Sequence, residues 1–597
     1  LPSKLDKERG VNLSQYAEND EDMDAMFEDV KGEQLSVRLR AKLVVPSAVE
    51  DVDESEWEED EEVDPARRRQ MDELNRQAAE IMRLINLLQV GGKEDDMLHA
   101  CQLLMNILRA YPEQKSHLIT YHGVLPILDM MEVASTRVLP VVLQVVNLII
   151  LDNAQFQENL CLLGAVPIVM SFCNMSYDNS IRVQAALFIR HMCFTSRVTL
   201  QMFIACRGLP VLAAMLQGSF EVNEDVIRVA VACVDRVLSL QSATPRNDFC
   251  RLFAKAGLLE NLVAVWPMVH AAPTGTALSM TIADFFLLFS QADPVVKRSM
   301  SELSVLSKLL VFMKGEEETL IGVKVLKSVR NLTMDPYTLD NVYSSGWLQQ
   351  LVRILTRSTG PYLKEMHNHA LYAMYNLCRI TKSRLEAAAV AGVVPALQAF
   401  IKSNSPLKEF AFPLYCDLAH GSKATRAELW KHNGAAFYVS VLQDPHWRVN
   451  VFDGLAAWLS DDTKRVESVL KTETSVNAME CLFSAVVAAM NNNANIFVNL
   501  LASLQRIISI SEPINQAIGR SSLLQLMVSN LKHPDASVRV GVLKVIISVY
   551  ESHRNPKNMI AENNLIPLVQ QCVKDKAVIV SDLASQLLLV FNTNDII

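Results

Sequence analysis

The sequence lacks every short motif that marks a catalytic centre. There is no glycine-rich phosphate loop, no H-E-x-x-H and no G-x-S-x-G, so phosphate-loop, zincin and hydrolase chemistry have no residues to act through. A protein kinase needs a glycine-rich loop, H-R-D and D-F-G; the nearest string is Phe452-Asp453-Gly454, in the wrong order. No catalytic residue is therefore assigned. Cysteine occurs 11 times without a C-x-x-C pair, and His367, His369, His420, His432 and His446 are scattered. These patterns give neither a disulfide framework nor a metal site, and the thiols (Cys101, Cys161, Cys193, Cys233, Cys378, Cys481) read as reduced core residues. Long apolar runs are missing too. Val138–Leu151 is interrupted by Pro140, Gln144 and Asn147 and falls short of the ~20 apolar residues of a membrane span. The opening LPSKLDKERG is charged where a secretory signal is apolar. A cytoplasmic protein without a membrane span is expected, and without a basic stripe nucleic-acid binding is not. The first residue is Leu1 rather than Met, which leads us to expect a longer parent chain.

What charge there is lies unevenly. Of the net −10, residues 1–64 carry 21 acidic against 7 basic side chains, so the remainder is slightly positive. Two islands dominate, Glu18–Asp29 (ENDEDMDAMFED) and Glu50–Asp64 (EDVDESEWEEDEEVD). Such density of like charge with so few apolar residues predicts a disordered acidic arm over 1–64. Met23, Met26 and Phe27 in the first island and Trp57 in the second are isolated apolar anchors of the kind a docking motif uses. A plain solvated linker explains the second island as readily. From Pro65 the composition changes: Met71, Leu74, Ala78, Ile81, Leu84, Ile85 and Leu88 recur at helical spacing. Asp64 before Pro65 suits a helix start.

The ordered part repeats itself. An apolar helix, a Gly and two or three apolar residues, often with Pro, recur at Gly123, Gly164, Gly208, Gly257, Gly346, Gly392 and Gly434, with weaker copies at Gly519 and Asn564. Intervals of 41, 44, 49, 46 and 42 residues exceed ankyrin and tetratricopeptide periods and match armadillo and HEAT units of roughly 40–47 residues. The fold class expected is all-α, an armadillo/HEAT-type helical solenoid: armadillo-like repeats over 65–460, degenerate repeats over 461–597, about eleven units in all. Gly is expected to end one helix in a left-handed conformation and Pro to open the next. Arg182, Arg228, Arg448 and Arg539, near the start of the longest helix of a unit, are expected to bond carbonyls or carboxylates of neighbouring repeats.

On that longest helix a polar residue returns amid apolar ones: Asn106, Asn147, His191, Asp235, Asp284, Asn331, Asn376 and Asp417, with Trp458 next in register. In armadillo proteins this helix lines a peptide groove, which makes Asn147, His191, Asp235, Asp284, Asn331, Asn376 and Asp417 candidate peptide-binding residues. Bonding to the adjacent repeat explains them equally simply. Import-type armadillo proteins place Trp four residues before the Asn; here Leu143, Lys327 and Tyr372 stand there, which speaks against that class.

LSQYAENDEDMDAMFEDV, the acidic spacer, QAAEIMRLINLL and HLITYHGVLPILDMM, followed by QENLCLLGAVPIVMSF, QAALFIRHMCFTS, LQMFIACRGLPVLAAML and NDFCRLFAKAGLLENLV, resemble the region following the kinase domain in fungal septation-initiation kinases. Plant MAP kinase kinase kinase epsilon is similar. The resemblance implies a serine/threonine kinase of the MAP kinase kinase kinase type acting in septation and cytokinesis. It also implies ATP and Mg in a catalytic domain that this sequence lacks, with a small GTPase and scaffold proteins at the spindle pole body or division site as partners. The residues present then form a non-catalytic regulatory and docking region. A free-standing armadillo scaffold is the alternative.

Overall fold

The computed structural model describes residues 65–89, 91–115, 124–133, 135–241, 244–403, 405–471, 478–490 and 493–593. The acidic arm, with Met23, Met26, Phe27 and Trp57, lies outside them. Among the described residues the secondary structure is α-helix with short 3-10 turns and no strand. The all-α armadillo-type fold class is thus what the chain adopts, and the first described helix begins at Pro65. The chain divides into two compact units, one ending with residues 320–341 and the other comprising 317–319 and 342 onward. In the second unit the buried Glu317 carboxylate takes Gln350 (2.5 Å), Arg353 (3.2 Å) and Arg357 (3.5 Å).

One repeat shows how sequence sets the fold. The Asn153 side chain accepts the Phe156 N–H (3.0 Å) and starts the short helix Ala154–Leu162. Gly164, at φ 79°, turns the chain into Ala165–Ser171. The long helix Asn179–Phe194 follows, burying Ile181, Ala185, Phe188, Ile189 and Met192. Ser196 then caps the next short helix, accepting the Thr199 N–H (3.0 Å), and Asp293, Ser422 and Asn555 repeat this cap. The turn between long and short helix has its own device, unrecognised in the sequence. A polar side chain seven positions on donates back to the otherwise orphaned carbonyl of the last helical turn: Gln157 to Ile150 (2.9 Å), Thr199 to Met192 (2.7 Å), Arg384 to Leu377 (3.4 Å) and Arg426 to Ala419 (3.3 Å).

Stacking the repeats lays the long helices side by side. In the first unit they are α1 (Glu94–Ala110), α2 (Leu139–Ile150), α3 (Asn179–Phe194), α4 (Phe220–Leu238), α5 (Thr276–Gln291) and α6 (Leu320–Leu332), each packed on the next. In the second they are α7 (Leu363–Cys378), α8 (Lys408–Ala419), α9 (Arg448–Asp461), α10 (Ala494–Ile510), α11 (Ala536–Ser552) and α12 (Val578–Thr593), packed likewise. The expected arginine ties are met in part: Arg539 reaches the Asp575 carboxylate (2.8 Å) besides the His533 carbonyl (2.6 Å), whereas Arg182 reaches the Cys173 carbonyl (3.3 Å) and the Asn223 amide, and Arg228 pairs with Glu224 on its own helix (2.8 Å) and with the Thr274 hydroxyl (2.5 Å). Arg448 donates to Leu442 (3.2 Å) and Gln443 (3.3 Å) within its own repeat. The cysteines are buried or half-buried, and burial pushes Cys101 up to about 11 and Cys378 to about 12, which keeps these thiols protonated.

The repeated glycine does two different jobs, which corrects the single role read from the sequence. Gly164, Gly257, Gly346 and Gly392 have positive φ, but at Gly208 and Gly434 the left-handed residue is the preceding Arg207 or Asn433. Gly208 opens its helix and is small because a Cβ there would meet the Phe203 ring at 2.4 Å. The two roles predict different tolerances. At Gly164, with nothing within 4 Å of a Cβ, Ala costs about 1–2 kcal/mol and Asn, which tolerates the left-handed region, less. At Gly208 both substitutions overpack the core and cost about 1–3 kcal/mol. Thermal melts of the four variants check this; equal penalties for Asn at both positions would contradict it.

Candidate functional site

The polar series divides by what each side chain touches. In the first unit Asn147 is buried and its Nδ2 donates to the Gln184 carbonyl (2.9 Å) and side-chain oxygen (3.2 Å) on α3. Asn331 is buried on α6 and donates to Ser290 Oγ of α5 (3.0 Å). These two amides are used between repeats. His191 is half-buried, while Asn106, Asp235 and Asp284 are exposed, Asp284 accepting Lys324 from α6 (2.5 Å). In the second unit Asn376 is buried, Asp417 is exposed, and Trp458 is wholly buried in the core.

The second unit concentrates polar side chains in a cleft of about 400 Å³ across α8, α9 and α10. Asp417 comes from α8 and His420 caps its C-terminus, Asn450 and Asp453 come from α9, and Asn499, Ser503 and Arg506 from α10. Asp453 accepts His420 Nε2 at 3.2 Å and also takes the Arg506 guanidinium, which in turn lies 3.4 Å from Ser503 Oγ. Desolvation by neighbouring side chains lowers the His420 pKa, with Asp417 opposing, so the ring is mostly neutral at pH 7. The same desolvation pushes the Asp417 carboxyl up, against the pull of His420 and Lys382. Among the described residues Asp417, at the cleft wall, has no salt bridge. Asn450 and Asn499 are exposed, and each offers an unused amide with two donors and an acceptor.

Ser503 Oγ also donates to Asp453 (3.5 Å), a carboxylate already engaged by His420 and Arg506, and no group of three metal-ligating side chains occurs among the described residues. Asn450 and Asn499 stand on adjacent helices, and each carries the donors and acceptor that a polypeptide backbone also carries. Of the sequence candidates the cleft includes only Asp417. Asn450, Asp453, Asn499 and Arg506 were missed because the register carried forward from Asp417 falls on Trp458, whereas the open face of α9 is turned toward its first two turns. Asn450 and Asp453, the two polar residues left unburied in the otherwise apolar or buried stretch WRVNVFD, were the available signal.

Among the described residues no single helix is long and apolar enough to cross a membrane. No family model matches the chain. It is 33% identical over 604 residues to the cytokinesis protein sepH of Aspergillus niger, covering 97% of this chain and 45% of that one. It is 26% identical to MAP3K epsilon protein kinase 1 of Brassica napus (87% and 56% covered) and 27% to cell division control protein 7 of Schizosaccharomyces pombe (84% and 46%). A solved structure on the cadherin–β-catenin interaction is similar at 14% identity and TM-score 0.43, over 86% of this chain and 99% of that one. The chain spans about half the length of the curated relatives it matches, and over that half it is a homologue of the cytokinesis protein sepH, the MAP3K epsilon protein kinases and cell division control protein 7.

Proposed function

We propose that this chain is the non-catalytic regulatory and protein-docking region of a serine/threonine kinase of the MAP kinase kinase kinase type that acts in cytokinesis. The observation that carries the kinase link is the similarity along 97% of the chain to sepH, with kinases among the other relatives. Docking is carried by the α8–α10 cleft, where Asn450 and Asn499 hold free amides beside Asp417. On this reading ATP and Mg²⁺ belong to a catalytic domain elsewhere in the parent protein. The cleft receives a protein partner, a small GTPase or a spindle-pole scaffold, and so places the kinase at the spindle pole or division site. Holding kinase and target on one array raises their effective concentration without new chemistry.

Two measurements test the two halves. The in-frame genomic sequence upstream of Leu1 is expected to encode a glycine-rich loop, H-R-D and D-F-G; a different upstream domain would remove the kinase link. For docking, the septation GTPase of the same organism, loaded with a GTP analogue, is titrated into the full chain by calorimetry. Replacing Asn450, Asn499 and Asp417 together by Ala is expected to weaken binding at least tenfold with helicity unchanged. Equal affinity would show that the GTPase does not use this cleft.

A further inference from the structure

A second surface lies in the first unit, at the C-terminal ends of α2 and α3, and the cleft plays no part in it. Phe194, the last residue of α3, is 45% exposed, Leu151 just past α2 is 41% exposed, and Val198 is 47% exposed. Gln157 holds them together: its Nε2 donates to the Ile150 carbonyl (2.9 Å) and to Thr195 Oγ1 (2.8 Å), so the residues next to Leu151 and Phe194 share one side chain. Two cations flank the Phe194 ring, and one exposed carboxylate, Asp152, stands next to Leu151. The guanidiniums of Arg190 and Arg236 lie 5.9 and 6.0 Å from the Phe194 ring centroid, and Arg197 is exposed beside Val198. None of the three pairs with a carboxylate among the described residues. Arg236, in the last turn of α4, also complements that helix's dipole, but a dipole needs no exposed ring between two guanidiniums.

The same chain carries the complementary chemistry. Residues 18–29 hold seven carboxylates and no basic side chain, with Met23, Met26 and Phe27 at i, i+3 and i+4, the spacing that gathers apolar residues on one helical face. Between Asp29 and Pro65 lie 35 residues, with a reach on the order of 120 Å when extended. Reach does not limit the contact.

We propose that residues 18–29 dock in cis on this patch, Met26 and Phe27 covering Leu151, Phe194 and Val198 while the flanking carboxylates meet Arg190, Arg197 and Arg236. Tethering makes the contact intramolecular, so it needs less intrinsic affinity than a contact between separate chains. Exposed ion pairs make it sensitive to salt. A protein or phosphate group that competes for the arginines would release the arm, which gives the acidic segment a switching role independent of the cleft.

The test uses the full chain with a photoreactive benzophenone side chain in place of Phe27. Irradiation in dilute solution at low salt should cross-link residue 27 to the stretch 147–200. The yield should fall at least fivefold in 0.5 M salt and in the double variant Arg190→Glu, Arg236→Glu. Both arginines are exposed, so circular dichroism should show that variant folded. Adding Asp22→Lys and Asp24→Lys to it should restore part of the yield, an outcome that misfolding could not produce. Cross-links to another surface, or a yield indifferent to charge reversal, would overturn the proposal. So would products joining isotopically light and heavy chains, which would make the contact one between copies.

Discussion

Trp266→Ala is expected to remove about 3–5 kcal/mol from the first unit. The side chain is fully buried, its ring stacks on Phe286 (5.2 Å, 4° between planes) and on Phe312 (4.4 Å), and its indole N–H donates to Ser279 Oγ at 2.6 Å. Truncation removes two stacking partners and a buried hydrogen bond and leaves a cavity that three helices cannot close. Because repeats hold one another only through neighbours, the loss should be local. Hydrogen exchange should rise in Leu258–Ala271, Thr276–Gln291 and Leu303–Gly315, while helices of the second unit keep their protection. Uniformly faster exchange along the whole chain would show that the array opens as one body.

The second large effect belongs to Trp458. It is fully buried, packed edge-on against Trp430 (4.7 Å) and against Tyr438 (5.7 Å). A Cβ on Gly434 would stand only 3.1 Å from its ring, so this glycine is the space the indole occupies. Trp458→Ala should cost about 3–5 kcal/mol. Unlike Trp266, its indole nitrogen has no hydrogen-bond partner among the described residues. Trp458→Phe therefore forfeits ring area but no bond, and should cost less than about 1.5 kcal/mol. Urea titrations of the two variants decide the matter; similar penalties would mean that the indole nitrogen is paired after all.

Trp458 also marks how far the sequence could be read. The period of the glycine phrase located the repeats and the long helix of each, because an apolar stripe at helical spacing is a property of one segment. The N-cap residues Asn153, Ser196, Asp293 and Ser422 are equally local and equally legible. Which polar residue on the long helix remains open depends instead on the helices packed to either side. Asn147 and Asn331 look alike in sequence to any groove amide, yet Gln184 and Ser290, on neighbouring repeats, use their donors. Asn450 and Asn499 sit in the first turns of their helices, where the adjoining side chains leave room, and no period within one chain reports that room.

The ties between repeats have a mechanical side. Asn147 with Gln184, Arg182 with Asn223 and Arg539 with Asp575 each join residues about one period apart, and none reaches across two. A tensile load applied along either unit would therefore not be shared by the array as a whole. It would fall on one junction at a time. A repeat of 41 to 49 residues releases roughly 140–170 Å of chain when it gives way. Each unit would then lengthen in discrete steps rather than rupture, the behaviour of a force-limiting link rather than a rigid strut.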